Sequence, residues 1–339
     1  LYNANLAGAN LIPAFSGSTQ SSASKNVKTG GNSTISHKGT LNVSYTLDLW
    51  QRLADTADAA EWSHKATAED LEATKLSLIN SVVTTYYQIA YLNDAISTTE
   101  ETIKYYNDIS YQTQRKTAEQ TLRNLLNLKP EEALNINFPH ILNVKNVGVN
   151  LNVPVSVIAN RPDVKGYQYR LSSAFKNAKA TEKGWFPEVT LGGSLTSSGT
   201  KVGNALHNPV GTGLIGISLP FLNWNTVKWN VKISEADYET ARLNYEQSIT
   251  KALNDVDTNY FAYTQAQSAF ANLQKTHSYN QRITKYYRDR YNAGVSELRE
   301  WLAAANTEKS SQLSILNAKY NIIQAENAVY SSMAGYYSR

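Results

Sequence analysis

The sequence predicts an internally duplicated α+β membrane protein in which four β-strands lead into very long helices. Three observations carry this expectation. One order of segments occurs twice along the 339 residues. Short stretches alternate apolar and polar residues with a period of two, the signature of two-faced strands. Long polar stretches free of proline and glycine follow them, as extended helices require.

The duplication is read from matching segments in matching order. Leu11-Ile12-Pro13-Ala14-Phe15 recurs as Trp185-Phe186-Pro187-Glu188-Val189, each before a Ser/Thr/Gly-rich stretch. Leu41 to Trp50 then matches Ile215 to Leu222, Val82 to Tyr87 matches Val256 to Phe261, and Ala118 to Leu128 matches Ala325 to Gly335. Each half therefore reads strand, loop, strand, long helix, second helix. Three segments follow: a first repeat over 1–128 with a β-hairpin at 11–50, a linker over 129–154, and a second repeat over 155–339 with a helix, a β-hairpin at 187–222 and a turn near 291–300.

From Leu41 to Leu49 every odd residue is apolar or aromatic and every even one polar. The third strand sets Val189, Leu191 and Leu195 against Thr190, Ser194 and Thr196, and the fourth puts Ile215, Ile217, Leu219 and Phe221 on one face. The first, around Phe15 to Ser22, follows from repetition. A sheet packed on a soluble core gives the same alternation. Strands of about 9 to 11 residues, however, suit a tilted membrane crossing. The segments Ser24 to Gly39 and Ser198 to Gly213, rich in Gly, Ser, Asn and Thr, read as exposed barrel loops. Four strands cannot close a barrel, and an open edge in lipid leaves backbone groups unpaired. Other subunits must supply the remaining strands.

Asp55 to Ser110 contains neither proline nor glycine. At 1.5 Å per residue such a helix extends roughly 80 Å. Thr226 to about Asn292 behaves likewise. Small residues recur at Ala57, Ala60, Ala66 and Ala73, then at Ala236, Ala241 and Ala252, among polar positions. Sparse stripes of this kind suit helices packed side by side in a wall wetted on both surfaces. The linker holds Pro130, Pro139, Gly148 and Pro154, with Val147, Val149, Leu151 and Val153 alternating, which predicts small strands and turns.

The two copies are unequal. Tyr105 to Ser110 aligns with Tyr279 to Thr284, but Tyr111 to Leu128 aligns with Ala318 to Gly335, so the first copy skips about 33 residues. The equivalent of Lys285 through Asn317, a helix, a turn and a returning helix, is expected to be missing near 110/111. By the same logic, a helix matching Val155 to Lys183 is expected ahead of Leu1.

Composition excludes several chemistries. The chain has no cysteine, so thiolate chemistry and disulfides are out, and a net charge of +4 without a basic block implies no nucleic-acid partner. His37, His64, His140, His207 and His277 lie far apart and form no metal-ligand pair. Neither a phosphate-binding loop nor a nucleophile elbow occurs. No enzymatic activity and no cofactor is expected.

Taken together, these residues resemble the TolC/OprM superfamily of outer-membrane efflux proteins. The resemblance rests on the corners at Pro13 and Pro187, Leu47-Asp48-Leu49-Trp50 before a long helix, and Asn160-Arg161-Pro162-Asp163 at the repeat junction. Arg290-Tyr291-Asn292-Ala293-Gly294-Val295 and Met333-Ala334-Gly335 complete it. It implies a homotrimer with a twelve-stranded β-barrel in outer-membrane lipid of a Gram-negative cell, continued by a helical α-barrel across the periplasm. It further implies a passive exit duct for efflux or type I secretion-like export. A periplasmic adaptor (membrane fusion) protein and an inner-membrane pump of RND or ABC type would drive it. The alternative reading is a secreted or periplasmic coiled-coil scaffold of adhesin-like character.

The resemblance also assigns sites. Acidic residues just after the tip turn constrict the entrance in the family, which points to Glu300, with Glu297 and Arg299 beside it. Ala303 stands where relatives often carry Asp, and a solvated helix face explains the same charges. Arg290, Tyr291, Asn292, Ala293, Gly294 and Val295 would form the tip turn and face the adaptor, Gly294 permitting the tight turn. Arg161, Pro162 and Asp163 read as structural, with Asp163 placed to cap the following helix. Tyr45, Trp50, Trp185, Phe221 and Trp224 suit a membrane-interface belt, although filling the crowded strand-to-helix junction explains them equally. Tyr86, Tyr87, Tyr260 and Phe261 read as packing between helices.

Overall fold

A computed structural model describes residues 1–25, 27, 28, 30, 32–100, 105–129, 132, 134–149, 155–203 and 207–335. In chain order the elements are α1 (Tyr2–Ala9), β1 (Ala14–Ser24), β2 (Thr34–Leu47), α2 (Arg52–Glu100) and α3 (Tyr105–Leu125), then α4 (Val155–Ala159), α5 (Pro162–Glu182), β3 (Glu188–Gly199), β4 (Val210–Ser218), α6 (Trp224–Asn292) and α7 (Leu298–Ser332). They form two compact units, Leu1–Ala68 with Gly166–Glu246 and Glu69–Lys165 with Gln247–Arg339. Each unit draws on both halves of the duplication.

The first unit holds an antiparallel meander in the order β1-β2-β3-β4. Its register brings residues of one kind together across all four strands. Val43 pairs with Phe15 and Gly193, Leu41 with Gly17 and Leu195, and Tyr45 with Leu191, which in turn meets Ile215. The alternate positions read Asn42 with Ser16 and Ser194, Thr40 with Ser18 and Thr196, and Ser194 with Thr212. Because side chains alternate across a strand, one face is apolar and the other is built from Ser, Thr, Asn and Gly. The pairing of β2 with β3 joins the hairpins of the two repeats, and β1 and β4 form the edges.

Two strand boundaries differ from expectation. β2 starts at Thr34, where it pairs with Ser24, so the ladder runs well into segments expected as loops, whose small side chains do not oppose pairing. The segments between paired strands shrink to 25–33 and 200–209, of which 26, 29, 31 and 204–206 lie outside the described residues. At the other end β4 stops at Ser218, and Pro220–Asn223 is a 3-10 turn, which leaves Leu219 and Phe221 outside the strand. Pro220 has no N–H to give to a ladder. Likewise β2 ends at Leu47, because the Asp48 carboxylate accepts the backbone N–H groups of Leu53 (2.9 Å) and Ala54 (2.8 Å) and starts α2. In the same unit α2 and α5 are fastened by a carboxylate with two ammonium partners. Asp55 accepts from Lys176 (3.0 Å) and Lys183 (2.5 Å), and Lys176 also reaches Asp58 at 2.7 Å.

The second unit carries the duplication in its packing. Ile89, Leu92, Ala118 and Leu122 are buried together with Val82 against them, and Tyr263, Val329 and Met333 are buried together with Val256, Ala266 and Ala325 against them. Position by position, Val82, Ile89, Leu92, Ala118 and Leu122 correspond to Val256, Tyr263, Ala266, Ala325 and Val329. The ends of α3 and α7 also close alike. Leu128 N–H donates to the Arg123 carbonyl at 2.9 Å, and Gly335 N–H to the Tyr330 carbonyl at 2.9 Å. Asn127 and Ala334 both take positive φ, 54° and 57°.

Over its described residues the linker is not built from strands. They contain one 3-10 turn, Ile141–Asn143, a bend at Glu132, Gly148 at φ 83° and no strand. Ile141 is fully buried among Ala90, Leu316, Tyr320 and Ile323, so the segment packs on helices and has no ladder partner. Polar side chains anchor it there. Asp94 accepts Ile141 N–H at 2.6 Å and meets His140 Nδ1 at 2.8 Å, Lys319 donates to Asn146 at 2.6 Å, and Glu326 accepts Gly148 N–H at 2.6 Å. Burial lowers the Lys319 pKa, partly opposed by Glu326, and raises that of Glu326. Pro130, Leu151, Val153 and Pro154 lie outside the described residues, as does 101–104 ahead of α3.

Candidate functional site

The features that bear on function are the two-faced sheet, the aromatic corner below it, the Arg161 junction and the α6–α7 turn. On the sheet, Phe15, Leu41, Leu195, Ile215 and Ile217 all point outward into exposure, between 47% and 81%. A large exposed apolar face opposite a polar one is unstable in water and suited to lipid. Among the described residues no helix is long and apolar enough to cross a membrane.

At the corner, Trp50 stacks on Phe186 with ring centroids 4.8 Å apart, and its indole N–H donates to the Pro187 carbonyl at 2.9 Å. Arg52 and Glu188 add an ion pair at 2.8 Å. These contacts tie the end of β2 to the start of β3. Trp50 is thus both an interface candidate and a packing group. Phe221 and Trp224 are half exposed at 43% and 58%, Trp185 is partly buried, and Tyr45 lies within β2 on the apolar face. Pro13 and Pro187 each stand one residue before a strand. Of the four aromatics expected between helices, Tyr86 and Tyr87 pack on each other and Tyr86 on Phe138, and Tyr260 lies against the Tyr263 core. Phe261 does not join them: it is 63% exposed, because it sits one position past that stripe.

Arg161 is buried and multiply bonded. Its guanidinium grips Asp163 with two bonds, of 3.0 and 2.7 Å, reaches Asp255 at 3.2 Å, and donates to the carbonyls of Ala252 (3.3 Å) and Ser332 (3.0 Å). Pro162 opens α5, and Asp163 lies in its first turn. Burial acts to raise the Asp163 pKa, but the bond and charge of Arg161 outweigh it and hold the carboxyl below its ordinary range.

The turn between α6 and α7 is held by backbone bonds. Gly294 N–H donates to the Tyr291 carbonyl at 2.9 Å and Val295 N–H to the Arg290 carbonyl at 3.0 Å, with Gly294 at φ 74°. Arg290 braces it by donating to the Tyr286 hydroxyl (2.7 Å) and the Val295 carbonyl (3.1 Å), and Tyr291 packs on Trp301 at 5.5 Å. Asn292 ends α6, and Ala293 N–H closes its last turn on Asp289. Glu297 stands at the N-cap of α7, Arg299 lies loosely beside it at 3.7 Å with both side chains over 70% exposed, and the Ser296 hydroxyl bonds to Glu300. Val295 is 61% exposed. No group of three or more His, Cys, Asp or Glu that could hold a metal occurs among the described residues.

Asp94, Lys319 and Glu326 as anchors were not legible in the sequence. The only available signal was polarity interrupting an apolar run, as Lys319 does between Leu316 and Tyr320.

The family model described as outer membrane efflux protein matches residues 1–119 and 153–335. The chain belongs to the outer membrane efflux protein family. Its similarity to toxin and drug export protein A of Aggregatibacter actinomycetemcomitans is 75% identity, covering all of this chain and 81% of that one. That alignment runs over 371 positions, about 32 more than the 339 residues here. Cation efflux system protein CusC of Escherichia coli is 22% identical over 97% of this chain and 79% of its own. Among solved structures, the open MtrE outer membrane channel of Neisseria gonorrhoeae superposes with a TM-score of 0.89 at 22% identity, covering 98% of this chain and 83% of that one. This efflux protein is therefore a channel subunit of the Gram-negative outer membrane extending into the periplasm, and a conduit, not an enzyme. The scaffold alternative is set aside by the same membership.

Proposed function

We propose that three copies of this efflux protein close a twelve-stranded barrel around a water-filled lumen, with the Ser/Thr/Asn face of the sheet turned inward. The observation that carries this reading is the sheet itself: four strands, opposed apolar and polar faces, and two edges that need partners. The helices then continue the duct into the periplasm, where an adaptor protein and an inner-membrane pump of RND or ABC type supply the energy. Resemblance to the toxin and drug export protein supports drugs and toxins as cargo. In this reading the second repeat carries the only periplasmic tip. Arg290 to Val295 face the adaptor, and Glu300, with Glu297 and Arg299 at its side, lines the entrance. The first repeat lacks the segment equivalent to 285–317, and the repeat and linker boundaries at 128/129 and 154/155 mark its plan. Tyr45, Trp50, Trp185, Phe221 and Trp224 lie at the periplasmic boundary between outer-membrane lipid and water. Native mass spectrometry and electron microscopy of detergent-extracted protein test the assembly. Elongated threefold particles of three times the chain mass are expected, and a monodisperse water-soluble monomer refutes the reading.

A further inference from the structure

Away from their helix ends, the two hairpins carry charge of a single sign. Between Ala14 and Leu47, and between Val189 and Leu219, the sequence contains no Asp or Glu, yet it contains Lys25, Lys28, Lys38 and Lys201. The sheet places these residues at one end. β2 runs directly into α2 and β4 into α6, so Lys25, Lys28 and Lys201, which follow β1 and β3, lie at the opposite end of the strands. Lys25 and Lys201 are exposed there.

Lys38 is placed differently. It pairs with Gln20 on β1 and Ser198 on β3, and it shares its face with Thr40 and Asn42. That is the polar face, and Lys38 is exposed on it. The nearest carboxylate along β2 is Asp48, ten positions on at the other end, where it caps α2.

We propose that Lys38, backed by Lys25, Lys28 and Lys201, forms an anion-favouring selectivity element at the outer mouth of the channel. This rests on the trimeric reading, which brings three copies of Lys38 into one ring on the lumen side. A ring of one sign attracts counter-ions and repels co-ions, and lysine rings select anions. The two carboxylates of the hairpins, Asp48 and Glu188, both lie at the opposite end of the strands from Lys38, where Asp48 caps α2 and Glu188 pairs with Arg52. Screening limits its reach to about 8 Å at physiological ionic strength and to about 30 Å at 0.01 M, so the effect is strongest in dilute salt. Solutes carrying carboxylate, sulfate or phosphate groups are the class this exit favours.

Planar-bilayer recordings across a dilute KCl gradient test it with wild type, Lys38→Gln, Lys38→Glu and Lys38→Arg. The reversal potential is expected to shift toward the cation side in Lys38→Gln, to shift further in Lys38→Glu, and to stay at the wild-type value in Lys38→Arg. Identical reversal potentials for wild type, Lys38→Gln and Lys38→Glu overturn the proposal. A wild type that inserts no pore overturns the channel reading beneath it, which the particle images register separately.

Discussion

Arg161 spends its donors on two carboxylates and two backbone carbonyls, and so ties the start of α5 to α6 and to the end of α7. Replacing it with methionine keeps much of the volume but leaves Asp163 and Asp255 facing each other without a counter-charge. Arg161→Met is expected to cost about 3 kcal/mol in denaturant unfolding of the detergent-solubilised protein. The same pair sets an acid dependence. Since the Asp163 pKa is depressed by folding, its contribution is complete above the ordinary aspartate range and is lost as pH falls through the depressed value. Wild type should therefore lose thermal stability between about pH 5 and about pH 2, and Arg161→Met should show a flatter profile there. A steeper one would contradict the account. A second residue carries strain of another kind. Ala334 takes φ 57°, a left-handed conformation that costs a non-glycine residue about 1 kcal/mol or more. Ala334→Gly should stabilise the protein by about 0.5 kcal/mol once the added freedom of the unfolded chain is subtracted, seen as a raised unfolding midpoint.

Among elements, the sheet makes the sharpest distinction, because adjacent residues of β2 face opposite media. Val43→Lys puts a charge on the apolar face and should cost about 2–4 kcal/mol near the middle of the bilayer. Asn42→Lys, one residue earlier, should leave membrane assembly intact. The amount of folded protein in outer-membrane fractions distinguishes them, and equal losses would deny that the faces differ. Much of this element was legible beforehand, since a period of two across Leu41 to Leu47 needs no knowledge of partners. What sequence missed lay at the ends. Strand termini depend on whether a neighbour continues the ladder, as Ser24 does for Thr34, and on a cap such as Asp48, neither of which a local pattern reveals. β1 was found only through its repeat, because Ser dominates it and Phe15 is its one large apolar residue. The linker misled for a related reason: Val147 and Val149 alternate as a strand would, but the segment packs on helices through Ile141 and the anchors Asp94, Lys319 and Glu326.

At the scale of the whole molecule, the duplication was the most informative signal, and it reappears as two cores built from corresponding residues. The family features at Pro13, Pro187, Arg161 to Asp163 and Arg290 to Val295 were individually weak and became specific only by their order. Acidic residues at the tip could not be weighed that way, because a solvated helix face and an entrance ring contain the same residue types. Conductance decides between them. With Glu300→Ala, a pore entrance reading expects reduced cation preference, and unchanged selectivity would return Glu300 to the solvated surface.

The edges of the sheet have a consequence for biogenesis. β1 and β4 contain no charged residue and no proline, so neither edge carries the features that usually discourage strands from pairing with strangers. A lone subunit in the periplasm is thus sticky at both ends until it meets its own kind, and over-expression that outpaces assembly should yield aggregates. It also means that a lesion on β1 is felt by a neighbouring molecule's β4. Second-site suppressors of a damaged first strand should then map to the last one, far away in the same gene.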